Sequence, residues 1–474
     1  MIINDLRDWI DAVRAIDQLK CISGAETKTE IGGIVDWFQE EMGTPALLFN
    51  DIPGYPAGYM ILANTLISKE RIALTLGLDP KMERMDIVKY WRQFLRENKR
   101  VPTKVVVTGK VMENIQRGAD VDLTTIPTPV WHELDGGPYI GTGCLVVQRD
   151  PDSGWVNVGC YRVQTFDRNS LGIMMTAGRH GNIIMEKYWQ RGEPCPVAVV
   201  VGQHPLFLLV AGMQVPWGVS EFEVAGAVWG KAVEVIKCPE TGLPVPADSE
   251  IVIEGTITQG DLQDEGPFGE WTGYYASGVR AQPVIRVQSM MYRNDPILLG
   301  TVPRRPPNDD QYATSFLGSA AIWNEVESAG IEGICGVWGL EASGGRMFTV
   351  VSMKQLYPGH AKQVLMSAAS CHSGTYANRY TVVVDEDIDP TDINAVVWAM
   401  CTRVDPREDM DIIHRGWSSP LDPMSYPDES KVFNSRVLID ACRPWEKRHT
   451  FPKVAEASPA LRKLIIDKWG YLKS

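Results

Sequence analysis

The sequence predicts a multidomain chain of mixed α/β and α+β character with a β-rich centre, and three observations carry that prediction. At 474 residues the chain exceeds the ~250–300 residues at which a single core stops growing. From about Val101 the texture changes to short β-branched runs separated by turn residues, the pattern of an antiparallel sheet or barrel. After the Pro-rich break Val302-Pro-Arg-Arg-Pro-Pro-Asn-Asp-Asp, helical and strand patterns alternate, as in an α/β layer.

Residues 1–100 form the first region. Leu6, Trp9, Ile10, Val13 and Ile16 recur at helical spacing behind Asn4, a candidate cap, and further helical patterns fall near 68–77 and 84–98. The second region, 101–302, holds expected strands at Lys104–Val111, Gly143–Gln148, Val197–Gly202, Ile251–Ile257 and Val284–Met291. Two helices are expected between them, at 169–190 and at 219–230, the second starting at Ser220. Residues 303–322 read as a linker helix region, and 323–445 as an α/β domain with a buried strand from Tyr380 and a helix over Asp392–Thr402. The acidic Asp385-Glu-Asp-Ile-Asp run between those two reads as a strand-to-helix loop, with a metal site as the alternative. The tail, 446–474, carries a helix capped at Ser458-Pro459, with Leu461, Leu464, Ile465 and Trp469 on one face. It follows an extended-looking stretch at 418–427, and its stripe requires cover from its own domain or a neighbouring subunit.

Composition narrows the function classes. A formal net charge of -13 argues against a nucleic-acid partner. Nine cysteines without a Cys-x-x-Cys pair point to reduced thiols, not a disulfide framework. The opening Met-Ile-Ile-Asn-Asp-Leu-Arg has no basic stretch before an apolar core, and no run of ~18 apolar residues occurs. A cytoplasmic protein without a membrane span is expected. No phosphate-cradling G-x-x-x-x-G-K-[S/T] or G-x-G-x-x-G stretch is present.

The most informative stretch is Asp264-Glu-Gly-Pro-Phe-Gly-Glu-Trp-Thr-Gly-Tyr-Tyr275. Glu265 and Glu270 flank a Gly-Pro-Phe-Gly segment that cannot continue a helix, so loop geometry aims them. Apolar neighbours would desolvate at least one, and two close carboxyls push their titrations apart, suiting one to carry a proton. The plain alternative is a surface turn with solvated acids. Asn157-Val-Gly-Cys-Tyr-Arg162 reads as a strand with Asn157, Gly159 and Tyr161 on one face and Cys160 and Arg162 on the other. Arg162 is the natural partner of a buried glutamate, in a site or in a plain salt bridge. Asn157, the glycine-flanked His180 and Glu221 form an O/N/O set that suits Mn²⁺ or Mg²⁺. Each also has an ordinary core or capping reading.

The ordered series Asn157…Arg162, Arg179-His180, Val219–Ala227 and Glu265–Glu270 resembles the UbiD family of prenylated-flavin-dependent decarboxylases. The opening Asn4–Trp9, the Pro127-Thr-Pro129 turn, Tyr357–Ala361 and Val384–Asp389 extend the resemblance across most of the chain. It implies a central split β-barrel of flavin-reductase type holding the cofactor, an N-terminal α/β part and a C-terminal α/β domain building dimers or hexamers. It implies a catalytic triad Arg162, Glu265 and Glu270, and prenylated FMN lying along Asn157, Val158, Gly159, Cys160, Tyr161 and Arg162, with Arg179, His180, Met213 and Glu221. Asn157, His180 and Glu221 match the ligands of Mn²⁺, and carbonyls at Val210 and Met213 with Glu221 match those of K⁺. Where some relatives place a phosphate-binding lysine this chain has Ser373, leaving Arg379, Lys354 or Arg179 as candidates.

The implied reaction is reversible decarboxylation of an aromatic or heteroaromatic acid through a covalent cofactor adduct, with Glu270 as proton donor and a flavin prenyltransferase as supplier. Phe316, Leu317 and Tyr376 are the implied pocket wall. Leucine at 317, where a histidine would suit a phenol, favours an unsubstituted, fused or heteroaromatic acid. Arg304 and Arg305 read as interdomain or solvent-facing charges, with a second substrate carboxylate as the alternative. The rival readings are a hydroxybenzoate-type decarboxylase or carboxylase with companion subunits, an ordinary FMN oxidoreductase, and a non-catalytic assembly subunit.

Overall fold

The structure is a computed structural model and describes residues 3–213, 215–425 and 432–473. The first helix, Leu6–Ala15, buries Leu6, Trp9, Ile10 and Val13 as the spacing predicts. Its cap is Asp5, not Asn4: the Asp5 carboxylate accepts the Asp8 N–H at 2.9 Å. The helix covers a four-stranded sheet in the order Leu19–Ser23, Ala46–Asn50, Met60–Ala63, Ile297–Leu299. The last of these belongs, by sequence position, to the central region, yet it pairs in parallel with Met60–Ala63. Helices Lys69–Thr75 and Arg84–Glu97 follow, the first capped by Ser68 and the second ended by Asn98 at φ 49°.

The centre is a nine-stranded antiparallel sheet built on one long hairpin, Ile251–Glu265 with Arg280–Tyr292. On one side of the hairpin lie Ser170–Ile173, Val163–Thr165 and Tyr139–Gly141; on the other lie Cys195–Val201, Leu145–Arg149 and Val156–Gly159; the ninth strand, Asn114–Arg117, pairs with Arg280–Tyr292 off this path. Val156–Gly159 is thus one edge, and Val163–Thr165 is next to the opposite edge. Only Cys160, Tyr161 and Arg162 connect them, and four Cα–Cα steps span at most ~15 Å. The sheet must therefore curl into a half-barrel whose two sides meet at this three-residue bridge.

Two sequence expectations change here. The helix expected at 169–190 is a strand, Ser170–Ile173, followed by a shorter helix, His180–Gln190. The strand expected at Lys104–Val111 shortens to Lys104–Val105, because the chain then enters a single 3₁₀ turn at Lys110–Glu113. The helix expected at 219–230 runs Glu221–Trp229 with Ser220 as its cap residue.

Past the Pro-rich break, the helix Asp309–Ser328 leads into a five-stranded mixed sheet, ordered Ile334–Gly339, Phe348–Met353, Tyr380–Asp385, Phe433–Ala441, Met410–Trp417. Asp385 and Asp387 of the acidic run accept from Arg403 at 3.0 and 2.9 Å, and Arg443 adds to the cluster, so the run is a salt-bridged loop. Residues 418–425 are turns around Asp422 instead of an extended stretch, while 426 and 427 lie outside the described residues. The tail helix Pro459–Trp469 starts where expected, its Ser458 hydroxyl accepting the Leu461 N–H at 3.2 Å. Leu461, Leu464, Ile465 and Trp469 are all exposed, so this chain's own domain does not cover the stripe.

Candidate active site

The long hairpin ends at Glu265, and the chain turns through Gly266 at φ 89° into the segment that carries Glu270. Both acids are buried, which rules out the solvated-turn alternative. Arg162, at the end of the bridge across the half-barrel, reaches both. Its Nε and Nη2 donate to Glu265 Oε1 and Oε2 at 2.8 and 2.7 Å, a bidentate pair, and its Nη1 donates to Glu270 Oε1. Ser277 accepts from the same Nη1 at 3.2 Å. The Tyr139 hydroxyl donates to Glu265 Oε1 at 2.7 Å. Phe268 packs its ring 4.3 Å from Tyr139, with the Arg162 guanidinium 5.3 Å away.

This arrangement separates the two acids. Glu265 carries three donors on two oxygens, two of them from the charged guanidinium. Glu270 shares one arm of the guanidinium; burial raises its carboxyl above the ordinary range, Arg162 offsets part of that, and Glu265 pushes it up again. Burial works against the charge on Arg162, but Glu270 and Glu265 outweigh it and raise the guanidinium. Burial keeps the Tyr139 phenol protonated as a donor. Arg280 faces the same cluster from the second hairpin strand.

The expected metal set gathers around the edge strand. The Glu221 carboxylate, in the first turn of its helix, accepts the Val158 N–H at 2.8 Å, beside Asn157. His180 opens the helix His180–Gln190, and its ring lies 5.3 Å from Trp155, two residues before Asn157. Tyr161 ties the strand to that helix by accepting the Gly181 N–H at 3.1 Å. The approach is close: a Cβ on Gly159 would lie 2.5 Å from the Tyr161 ring, and one on Gly181 would lie 2.8 Å from its hydroxyl. Two helix N-termini therefore abut one strand, the geometry that attracts anions. Asn157 Nδ2 is buried without a partner among the described residues. Burial pushes the Glu221 carboxyl to about 8, against the pull of the Val158 N–H. His180 is lowered by burial and by Arg179, so it stands neutral with a free lone pair. An orphaned amide, an uncompensated carboxyl and a neutral imidazole are a donor set that a divalent cation would satisfy. Val210 is buried at the end of the helix Pro205–Ala211, and Met213 lies just beyond, half-buried. Cys160 is half-buried, its thiol 3.9 Å from the Leu208 carbonyl.

The remaining site residues divide. Tyr376 lies 5.7 Å from the Arg179 guanidinium and 5.9 Å from that of Arg346, bringing the C-terminal domain over the start of the His180 helix. Leu317 is nearly buried on the helix Asp309–Ser328, whereas Phe316 is wholly buried between Tyr312 and Trp338 in the domain core and does not present a pocket wall. Ser373 hydrogen-bonds Glu325, and Arg379 pairs with Asp422. Lys354 lies beyond the Met353 end of its strand, away from Arg346 and Tyr376. Of the basic candidates only Arg179 stands at the helix N-terminus, and sequence reasoning missed Arg346, which meets the same Tyr376 ring. Arg304 pairs with Asp36 at 2.5 Å and with the Gln39 carbonyl, the interdomain use expected for it, while Arg305 is exposed. Two cavities, of about 470 Å³ beside Arg117 and Asn169 and about 520 Å³ beside Lys104 and Trp229, lie away from the triad.

Residues 10–91, 103–306 and 311–441 match the N-terminal, Rift-related and C-terminal domains of the 3-octaprenyl-4-hydroxybenzoate carboxy-lyase (UbiD) family. The chain belongs to the UbiD family. A pyrrole-2-carboxylic acid decarboxylase of Pseudomonas aeruginosa is 31% identical over 98% of this chain and 97% of its own length. Vanillic acid decarboxylase of Sedimentibacter hydroxybenzoicus, solved in an open form, superposes with a TM-score of 0.87 at 27% identity over the whole of both chains. The UbiD-class enzyme HmfF of Pelotomaculum thermopropionicum, solved in complex with FMN, gives 0.87 at 26% identity over 98% of this chain and all of its own. The multidomain α/β architecture is therefore that of UbiD-class enzymes, and the chain is a carboxy-lyase. Among the described residues no helix is long and apolar enough to cross a membrane.

Proposed function

We propose that this UbiD-family chain catalyses the reversible, non-oxidative decarboxylation of an aromatic or heteroaromatic carboxylic acid with prenylated FMN, and that Glu270 supplies the proton. The observation that carries this reading is the single guanidinium of Arg162 holding two buried carboxyls in unequal ways. Losing CO₂ from an sp² carbon leaves an electron pair with no sink, and the bound flavin derivative supplies that sink. The protein's part is placement, desolvation and proton handling.

Arg162 orients the substrate carboxylate or Glu265, on whose two oxygens three donors converge. Glu270, whose carboxyl burial raises above the ordinary range, delivers its proton to the carbon that CO₂ leaves. Such a general acid contributes about 10²–10⁴-fold. The paired helix N-termini and Arg179 suit the cofactor phosphate, and Asn157, His180 and Glu221 suit the Mn²⁺ that would clamp it. Carbonyls near Val210 and Met213, with Glu221, suit K⁺. The curled antiparallel sheet supports the split-barrel description of the cofactor domain, with the flavin along Asn157–Arg162. Leu317 and Tyr376 are the proposed substrate contacts, and the heteroaromatic relative supports an acid without a phenolic hydroxyl. A cytoplasmic homo-oligomer, a dimer or hexamer fed by a flavin prenyltransferase, completes the proposal.

The test is Glu270→Gln in holoenzyme. The variant should retain cofactor while losing CO₂ release and exchange of ring hydrogen for deuterium; turnover near the wild-type rate would remove Glu270 from its role.

A further inference from the structure

We propose that Asp135 is a positioning residue for Glu270, acting through a backbone clamp formed by His132–Tyr139; this rests on the proton-donor role given to Glu270 above. The four-residue turn Gly266–Gly269 has no regular structure of its own to aim the acid that follows it. Two of its backbone partners come from one other segment. The Gly266 N–H donates to Gln164, but the Pro267 carbonyl accepts the Gly136 N–H at 2.8 Å, and the Gly269 N–H donates to Asp135 Oδ1 at 3.0 Å. The other Asp135 oxygen accepts the His132 backbone N–H at 3.0 Å and lies 3.2 Å from His132 Nδ1. At the far end of the same segment Tyr139 holds Glu265. The contact between the two segments is backbone on backbone: a Cβ on Gly136 would overlap the Gly266 carbonyl, and one on Gly269 would lie 2.8 Å from His132 Nδ1.

Asp135 is the unusual member. Its side chain is fully buried, and a buried carboxylate is stable only where hydrogen bonds satisfy it. It has those from Gly269 and His132, and the Gly269 bond fixes the peptide immediately before Glu270. On the other side, the Glu270 N–H donates to the Tyr274 carbonyl at 3.0 Å and its own carbonyl accepts from Gly273 at 2.8 Å. The Glu270 backbone is thus gripped from both sides, and Asp135 supplies the grip that crosses from another part of the sheet. Releasing it lets the carboxyl drift relative to Arg162 without removing any group that touches the cofactor segment.

The experiment compares Asp135→Ala, Gly269→Ala and Glu270→Gln holoenzymes with the wild type, following kcat, KM, flavin per protomer and amide exchange of the 266–270 peptide. A misplacement of ~1 Å at a reacting group costs about 10²-fold in rate. Asp135→Ala should therefore lower kcat about 10²-fold with KM and bound flavin unchanged, and should raise exchange only in 266–270 and 132–139. Gly269→Ala, which keeps the carboxylate but pushes the loop off His132, should do the same if Asp135→Ala does not fold. Wild-type kcat in both variants overturns the proposal. So does a loss of kcat that tracks loss of flavin and of protection across the whole central sheet, the mark of a purely structural residue. If Glu270→Gln turns over normally, the proton-donor reading fails on its own, while the exchange data still decide whether Asp135 grips the loop.

Discussion

Removing the guanidinium that joins the two acids should make stability depend on pH in a direction the geometry fixes. In Arg162→Met, Glu265 and Glu270 face each other with side-chain exposures of 1% and 9%, their hydrogen-bonded guanidinium gone and only the more distant charge of Arg280 left facing them. Breaking a buried ion pair from one side costs about 3–5 kcal/mol. The chain can avoid that cost by protonating one carboxyl of the pair. At about 1.36 kcal/mol per pH unit, the full penalty corresponds to a carboxyl held roughly 2–4 units above its unfolded value. A group whose folded pKa is raised weakens the fold as pH climbs past its unfolded pKa, near 4.5 for Glu270. The variant should then lie within about 1 kcal/mol of wild type at pH 4.5, the range of a lost hydrogen bond, and about 3–5 kcal/mol below it at pH 8. Urea unfolding followed by tryptophan fluorescence at the two pH values measures both. An equal loss at each pH, or a loss under about 1 kcal/mol at pH 8, would refute the pairing as described.

Two further outcomes follow from contacts elsewhere. Gly181→Ala places a methyl against the Tyr161 hydroxyl and Gln148, overpacking worth about 1–3 kcal/mol, and should reduce flavin per protomer while circular dichroism stays unchanged. Arg403→Met removes the buried guanidinium from Asp385 and Asp387, leaving only the more exposed Arg443, and should cost up to about 3–5 kcal/mol, less for the partly exposed Asp387. Hydrogen exchange should localise that loss to the C-terminal sheet, with manganese content and turnover of the folded fraction unchanged, whereas a metal site in the acidic run would lose metal.

The sequence made some of this legible for identifiable reasons. Helices Lys69–Thr75, Arg84–Glu97 and Pro459–Trp469 follow from local spacing and caps, information held within a few residues. Ser170–Ile173 is a strand only because Val163–Thr165 and Arg280–Tyr292 flank it, and nothing local to 170–173 records those partners. Arg162, Glu265 and Glu270 stand out because acids and a base amid aromatic residues have few uses in a core. Asp135 in Asp-Gly-Gly-Pro reads as an ordinary turn until the opposing loop is seen, and Arg346 has no distinguishing neighbours in the chain. Arg162 also defeats simple alternation: the chain leaves the sheet at Gly159 and re-enters at Val163, so no single strand face is shared across the bridge.

The strand Ile297–Leu299, zipped beside Met60–Ala63, has an architectural consequence. Helix Arg84–Glu97 also lies against Asp309–Ser328, with the Arg92 guanidinium 4.0 Å from the Trp323 ring and Thr65 donating to Asp309 at 2.8 Å. The opening hundred residues are therefore a brace running behind the half-barrel to the last domain, not a detachable module. Severing the polypeptide near 101 would strip an apolar border strand and a dry aspartate at once, so the fragments should come out of cells as aggregates unless they are produced together.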